Sequence, residues 1–270
     1  MHHQNQKNMS TIIYPSPIFG PVHSRRLGIS LGINLMPADG KVCTFDCIYC
    51  ECGLNAEHRP TLPRPTRKEV AQALETKLIE MNNNGELPDV LTFAGNGEPT
   101  AHPQFADIID DTILLRNQYC PKAKVSVLSN ATLVGKKDVR EALMRVDNPI
   151  MKLDTIDSAY IKMVDCPTSH YDVNLIIDGL KQMQGKAIIQ TMFMTGSFKK
   201  DGVSVSVDNT GDTFVTPWLK AVKEIAPREV MIYTIDRETP TEGLKKASRE
   251  QLDAIRDRVI AAGIKCSASY

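Results

Sequence analysis

The stretch from Cys43 to Cys50 reads CTFDCIYC and holds three cysteines in a C-x3-C-x2-C pattern. Three thiolates this close together on one loop can hold three corners of a [4Fe-4S] cluster. No fourth cysteine lies at a spacing typical of a ferredoxin. One iron would therefore stay open to a ligand that is not protein. An open iron is a site for chemistry, whereas a cluster closed by four cysteines mainly carries electrons.

Composition limits the class of protein. The chain has 270 residues, of which 42% are apolar and 24% are charged, and Lys+Arg and Asp+Glu are equal at 32 each. This balance provides no overall field to attract nucleic acid or an anionic membrane. No apolar run approaches about 18 residues, so no membrane span is predicted. The polar N-terminus lacks the apolar core of a secretory signal, and bunched cysteines then indicate metal ligation in a reducing cytoplasm.

Apolar runs alternate with amphipathic stretches along most of the chain. The predicted strands span residues 28–36, 90–94, 124–128, 150–153, 187–194 and 230–235, with a closing strand at 265–269. The predicted helices span residues 68–81, 103–115, 137–144, 158–163, 172–183, 217–224 and 249–262. Residues 196–213 are predicted to form a long loop.

This alternation indicates right-handed β-α-β units and a parallel sheet. About six units are too few for a closed eight-stranded barrel, so the predicted fold is α/β, a partial (β/α)6 TIM-like barrel. We expect residues 1–15 to form a flexible N-terminal segment and residues 16–270 to form a single domain. Ligands of such folds bind at the carboxyl ends of the strands.

Two loops after predicted strands carry residues suited to a ligand of the open iron. Gly95-Asn96-Gly97-Glu98 follows the second strand, and its glycines let the backbone approach a ligand closely. Backbone groups and the Glu98 carboxylate could hold an ammonium group. Ser129 and Asn130 follow the third strand and could bond hydroxyls, although both also suit a helix cap.

Two further residues extend the same predicted site. Asp154 follows the fourth strand, where it either contacts a ligand or serves in a turn. Tyr49 lies between two cysteines, where its ring could flank a planar base. A ligand with an amine, a carboxylate, a ribose and an adenine would use all of these groups, and S-adenosyl-L-methionine (SAM) has them all.

These motifs resemble those of the radical SAM enzymes, which carry C-x3-C-x2-C after the first strand and a Gly-Gly-Glu-type motif after the second. The second motif here is Gly95-Asn96-Gly97-Glu98. Residues 19–28, 30–32, 92–100 and 232–237 more closely resemble a group related to the wyosine base synthases. The likeness covers roughly residues 15 to 245.

The resemblance implies a specific chemistry. A reduced [4Fe-4S] cluster would cleave SAM to methionine and a 5'-deoxyadenosyl radical, which abstracts hydrogen from an unidentified substrate, a small metabolite or a modified nucleoside. An electron donor such as flavodoxin or ferredoxin would reduce the cluster. The implied cluster ligands are Cys43, Cys47 and Cys50. The implied SAM contacts are Tyr49, Gly95, Asn96, Gly97, Glu98, Ser129, Asn130 and Asp154.

One departure bears on the substrate. Wyosine base synthases carry additional N-terminal cysteines for a second cluster, and no cysteine precedes Cys43 here. Together with the zero net charge, this makes a transfer RNA the less favoured substrate.

Five residues are candidates for the substrate side of the site. The guanidinium groups of Arg25 and Arg26 could bind an anionic group of the substrate. Asp236 and Arg237, after the sixth strand, are also candidates for contact with the substrate. Each of these pairs also suits a solvated loop or a structural ion pair. Cys52 is a candidate hydrogen-atom donor or second metal ligand, with a plain buried cysteine as the alternative.

Two alternatives remain for the cysteine loop as a whole. Cys43, Cys47, Cys50 and Cys52 could form a structural zinc site, but the spacing of the last pair is tight and zinc would leave the glycine motif unexplained. The other alternative is a non-catalytic iron-sulfur protein that carries electrons or senses redox state.

Overall fold

The computed structural model describes residues 11–24 and 28–270. The strands in these ranges are β1 (Ile18–Ser24), β2 (Gly28–Ile33), β3 (Val90–Phe93), β4 (Lys124–Ser129), β5 (Asn148–Lys152), β6 (Ile188–Met192), β7 (Met194–Lys200), β8 (Val203–Ser206), β9 (Glu229–Tyr233), β10 (Leu244–Lys246) and β11 (Cys266–Ser269). The α-helices are α1 (Arg67–Asn83), α2 (Phe105–Tyr119), α3 (Lys137–Arg145), α4 (Ser158–Tyr160), α5 (Val173–Lys181), α6 (Asp212–Ile225) and α7 (Arg249–Ala261). A 3-10 turn at Pro99–Ala101 and a π-helical turn at Ile161–Asp165 complete the set.

The main sheet has eight strands in the order β1-β2-β3-β4-β5-β6-β9-β11. Neighbouring strands from β2 to β11 are parallel, and β1 pairs antiparallel with β2. Because β1 and β11 stand at opposite ends of this order, the sheet curves without closing. This arrangement confirms the predicted α/β fold and its partial barrel.

Side chains alternate between the two faces of the sheet. Leu31 and Ile33 in β2, like Leu91 and Phe93 in β3, are fully buried in the hydrophobic core shared with the helices. The intervening residues face the barrel interior. Helix α1 begins at a capping box in which Thr66 and Glu69 bond each other's backbone N–H groups, so its start is fixed by local sequence.

The structure corrects two local predictions. Residues 196–213, predicted to be a loop, largely form the β7–β8 hairpin, which joins β10 in a small antiparallel sheet. Its turn is Asp201-Gly202, where both residues have positive φ, the geometry that a two-residue hairpin requires. Helix α6 begins at Asp212 rather than at Pro217, and burial of Val215 and Trp218 beside the proline offsets the hydrogen bond lost there.

Every helix among the described residues is too short or too polar to traverse a lipid bilayer. All seven cysteines are unpaired. The sheet and its helices therefore depend on apolar packing and backbone hydrogen bonds.

Truncation of the core should reveal this dependence. We expect Leu31→Ala to lower the free energy of unfolding by about 2–5 kcal/mol, because it leaves a cavity in the closely packed layer between sheet and helices. Leu114→Ala, at a side chain 66% exposed on α2, is the matched control and should change it by less than about 0.5 kcal/mol. Urea denaturation of both variants measures the difference. Equal losses would contradict the assignment of Leu31 to the core.

Candidate functional site

A pocket of about 540 Å³ occupies the barrel interior and opens at the carboxyl ends of the strands. Its wall includes Ser30, Thr92 and Gln190 from the strands and Tyr49 and Cys50 from the cysteine loop. The two edge strands also line it, β1 through Phe19 and His23 and β11 through Ser269, with Tyr270 following. The pocket thus extends from the cysteine loop to the gap between β1 and β11. A larger depression of about 800 Å³ lies along β1 and α1, and the predicted site residues do not line it.

The cysteine loop is held in shape by Asn55, a residue outside the motifs identified in the sequence. The Asn55 side chain accepts a 3.2 Å hydrogen bond from the backbone N–H of Cys43 and donates to the carbonyls of Cys43 and Phe45. A turn hydrogen bond of 3.1 Å joins the backbone N–H of Cys50 to the carbonyl of Cys47. The three predicted ligands are half-buried on one rigid loop.

The three predicted ligands differ in the pKa of their thiols. The Cys52 thiol donates a hydrogen bond to Cys50 and lowers the pKa of Cys50 to about 6, against burial, which acts to raise it. Burial raises the pKa of Cys43 to about 12 and the pKa of Cys47 well above its usual value. Ligation of a cation would displace these protons, since the thiolate is the metal ligand.

A buried lysine lies beside all three thiols. Lys41 has a side chain only 1% exposed, and its Nζ donates to the carbonyl oxygen of Gly53 at 2.6 Å. Burial acts to lower the pKa of Lys41, but Cys50, Cys43 and Cys47 together raise it above its usual value. Soft thiolates are the donors typical of iron-sulfur clusters and zinc. The donor set therefore fits the cluster that the sequence predicts.

No three His, Cys, Asp or Glu side chains in residues 11–24 and 28–270 stand close enough to bind one metal ion together. Cys52, the fourth thiol of the zinc alternative, is buried, and its Sγ lies 3.4 Å from the carbonyl oxygen of Gly95. Cys52 thus links the cysteine loop to the glycine loop.

The glycine loop after β3 touches the cysteine loop through its backbone. Val42 donates a 2.9 Å hydrogen bond to the carbonyl of Asn96, and Glu98 donates one of 3.3 Å to the carbonyl of Val42. Gly97 has φ +146°, and a Cβ there would lie 1.8 Å from the Val42 carbonyl oxygen. Only glycine fits this position. Gly95 lines the pocket, so the backbone of the loop is available to a ligand.

The Glu98 carboxylate points into the protein. Its Oε1 accepts hydrogen bonds from the Thr100 hydroxyl at 2.6 Å, the Thr100 backbone N–H at 3.0 Å and the Ser129 hydroxyl at 2.8 Å. Its Oε2 accepts from the backbone N–H of Asn130 at 2.7 Å. Burial raises the pKa of Glu98, and these hydrogen bonds oppose the rise. Glu98 thus ties the loop after β3 to the loop after β4.

Two other predicted SAM contacts also have partners within the protein. The Asn96 side chain is fully buried and bonds the backbone of Tyr14 and Pro37. Asn130 Nδ2 donates to the Thr44 hydroxyl at 2.8 Å and to Cys43 Sγ at 3.6 Å. Both side chains therefore fix the loops, and Asn130 in addition contacts one of the predicted cluster ligands.

Asp154 belongs to a buried ion network that the sequence did not predict. Its Oδ2 contacts Lys152 Nζ and the Tyr49 hydroxyl, and its Oδ1 accepts from the backbone N–H of Met192 at 2.9 Å. Lys152 also pairs with Asp165 at 2.8 Å. Lys152 and Asp165 lie on different elements, so their meeting could not be read from spacing along the chain.

On the substrate side, Arg25 and Arg26 lie outside the described residues. Arg237 reaches the pocket mouth, where its Nη1 pairs with Glu51 at 2.8 Å and donates to the Tyr14 hydroxyl at 2.9 Å. Tyr14, from the segment expected to be flexible, is bonded to the body through these contacts. Asp236 lines the same pocket and pairs with Lys246 at 3.6 Å.

The fold of this chain is similar to that of several proteins of known structure. SuiB from Streptococcus suis, solved with bound S-adenosylmethionine, superposes with a TM-score of 0.61 at 17% identity, over 88% of this chain and 50% of SuiB. A radical SAM methyltransferase from Sphaerobacter thermophilus gives a TM-score of 0.64 at 13% identity, over 89% of this chain and 66% of that one. The chain therefore has the fold of radical SAM enzymes, as its motifs predicted.

Sequence relatives identify the particular family. A UPF0026 protein of Helicobacter pylori is 32% identical over 245 residues, which are 88% of this chain and 72% of the relative. The chain belongs to the UPF0026 family. A Brachyspira hyodysenteriae protein named GTPase Obg is 27% identical over 250 residues, 92% of this chain but only 34% of that protein. No family model matches the chain.

The inward hydrogen bonds of Glu98 predict a structural effect. Glu98→Ala should lower the free energy of unfolding of the metal-free protein by about 3 kcal/mol, because it leaves several buried donors without an acceptor. Glu141→Ala, at an exposed ion pair on α3, is the control and should cost less than about 1 kcal/mol. Chemical denaturation measures both. Unchanged stability in Glu98→Ala would refute the structural role.

The contact at Gly97 predicts a second effect. Gly97→Ala should destabilise the protein by about 3 kcal/mol and reduce iron uptake, since the new methyl group pushes the Val42 backbone and the cysteine loop away. At Gly135 an added Cβ meets no atom within 4 Å, so Gly135→Ala is the control. Iron content after anaerobic reconstitution checks the prediction. Equal iron content in both variants would contradict it.

Proposed function

We propose that this chain is a radical SAM enzyme in which Cys43, Cys47 and Cys50 hold a [4Fe-4S] cluster. The observation that carries the proposal is the position of the cysteine loop. It lies at the carboxyl ends of the parallel strands, and Cys50 and Gly95 line one pocket. A volume of about 540 Å³ falls within the range of cofactor and ligand sites, roughly 300–1,000 Å³.

A [4Fe-4S] cluster held by Cys43, Cys47 and Cys50 would supply the electron for reductive cleavage of SAM to methionine and a 5'-deoxyadenosyl radical, which would take hydrogen from the substrate. The protein binds, orients and shields the reactants. Three thiolates leave one iron for the amine and carboxylate of SAM. The backbone of Gly95, which lines the pocket with Cys50, would hold the methionyl end of SAM, and the Tyr49 ring at the pocket wall would flank the adenine.

The other residues predicted to contact SAM act indirectly, by positioning the glycine loop and the Tyr49 ring. Glu98, Ser129 and Asn130 hold the loops in place by their mutual hydrogen bonds. Asp154 fixes the Tyr49 hydroxyl. SAM thus binds mainly backbone and aromatic surface, and the buried polar side chains set the position of that surface.

The substrate is a small metabolite or a modified nucleoside. With SAM bound beside Cys50 and Gly95, the substrate would take up the part of the pocket that is lined by Phe19, His23 and Ser269 near the gap between the edge strands. Arg237 and Asp236 stand at the mouth on the substrate side. A flavodoxin or ferredoxin donor, a transfer RNA substrate, a cytoplasmic location and roles for Arg25, Arg26 and Cys52 stay predictions.

Cleavage of SAM tests the function directly. Anaerobically reconstituted protein given dithionite and SAM should release 5'-deoxyadenosine and methionine, measured by chromatography with mass detection. Cys47→Ala should lose most of its iron and all of this cleavage, because two thiolates hold a cluster poorly. Cys120→Ala, at a buried cysteine on the helix side, is the control and should retain both. A cluster that can be reduced but does not cleave SAM would refute the enzymatic function and favour an iron-sulfur protein that carries electrons.

A further inference from the structure

Lys152, the last residue of β5, is the hub of the buried network beside the cysteine loop. Its side chain is 14% exposed, and Nζ contacts Asp154 Oδ2, Asp165 Oδ1 and the Tyr49 hydroxyl. Nζ lies 4.6 Å from the centroid of the Tyr49 ring and 5.9 Å from that of Phe45. Both rings come from the cysteine loop, so Lys152 touches that loop from the barrel side.

The network reaches a predicted cluster ligand through Asp165. Cys47 Sγ lies 3.9 Å from the same Asp165 oxygen, Oδ1, that pairs with Lys152. The π-helical turn that ends at Asp165 also accepts backbone hydrogen bonds from Asp46 and Ile48. Lys152 therefore fixes the carboxylate that faces Cys47, on an element already bonded to the cysteine loop.

Folding stability does not account for this arrangement. A buried ion pair loses hydration that its Coulomb attraction only partly restores, so its net contribution to folding is small. The charge of Lys152 has a larger effect on a neighbouring group whose own charge changes during a reaction than on the stability of the fold. A [4Fe-4S] core with three thiolates is anionic and gains one more negative charge on reduction. A buried ammonium group nearby favours the reduced form, and a buried carboxylate disfavours it.

We propose that Lys152 is a positioning residue for the cluster, which orients Cys47 and Tyr49 through Asp165 and Asp154 and whose charge raises the reduction potential. This proposal rests on the cluster of the proposed function. Lys41, which pairs with Asp46 of the cysteine loop at 3.4 Å, contributes a second positive charge. The negative charges of Asp46 and Asp165 act on the reduction potential in the opposite direction to the two lysines. Removal of a lysine charge and removal of an aspartate charge should therefore shift the potential in opposite directions.

The test is a potentiometric titration of reconstituted protein, followed by electron paramagnetic resonance. It is run without SAM, so that no contact with SAM contributes to the shift. Lys152→Met should lower the midpoint potential, and Lys152→Arg should stay near the wild-type value. Asp165→Asn should raise it. Lys162→Met, at an exposed lysine in the same turn as Asp165, is the control and should leave the potential unchanged.

An unchanged potential in loaded Lys152→Met, or a shift of the same sign in Lys152→Met and Asp165→Asn, would overturn the proposal. If Lys152→Met does not take up iron, Asp165→Asn alone decides, and a lowered or unchanged potential there refutes the charge effect. Wild-type protein that holds no cluster refutes the proposed function instead. If the wild-type protein holds a cluster and every variant has the same midpoint potential, only the role of Lys152 is refuted.

Discussion

The site depends on the backbone contact between Val42 and Gly97. Hydrogen bonds from Val42 to Asn96 and from Glu98 to Val42 join the cysteine loop to the end of β3 at a distance that admits no side chain on Gly97. Glu98 then extends the same connection to the loop after β4. Three loops from different parts of the chain are thus held as one surface, on which Cys50 and Gly95 line the same pocket.

The strand and helix positions could be predicted because each parallel strand is a short apolar run followed by an amphipathic helix. The β7–β8 hairpin was missed although Asp201-Gly202 is a turn signal, because its strands are polar and exposed. The predicted site residues do gather at one end of the sheet. Their individual roles could not be predicted, because they depend on partners that lie far along the chain or on another loop, such as the backbone of Tyr14, which Asn96 contacts.

The same limit explains why Asn55, Lys152 and Asp165 escaped prediction. None belongs to a recognisable motif, and each acts through contacts across the fold. Lys41 and Lys152 contact the cysteine loop or its neighbours and bring positive charge to a place where the sequence shows only a cysteine pattern. The environment of the cysteines is therefore as specific as the pattern itself, and only the three-dimensional structure reveals it.

The two walls of the gap belong to β1 and β11, which stand at opposite ends of the sheet order. Among the described strands β1 pairs with β2 and β11 pairs with β9, so a change in the width of this gap breaks no hydrogen bond between neighbouring strands. Closed barrels lack this freedom. The end of the pocket at the cysteine loop can therefore remain rigid while the end at the gap between β1 and β11 adapts to molecules of different width.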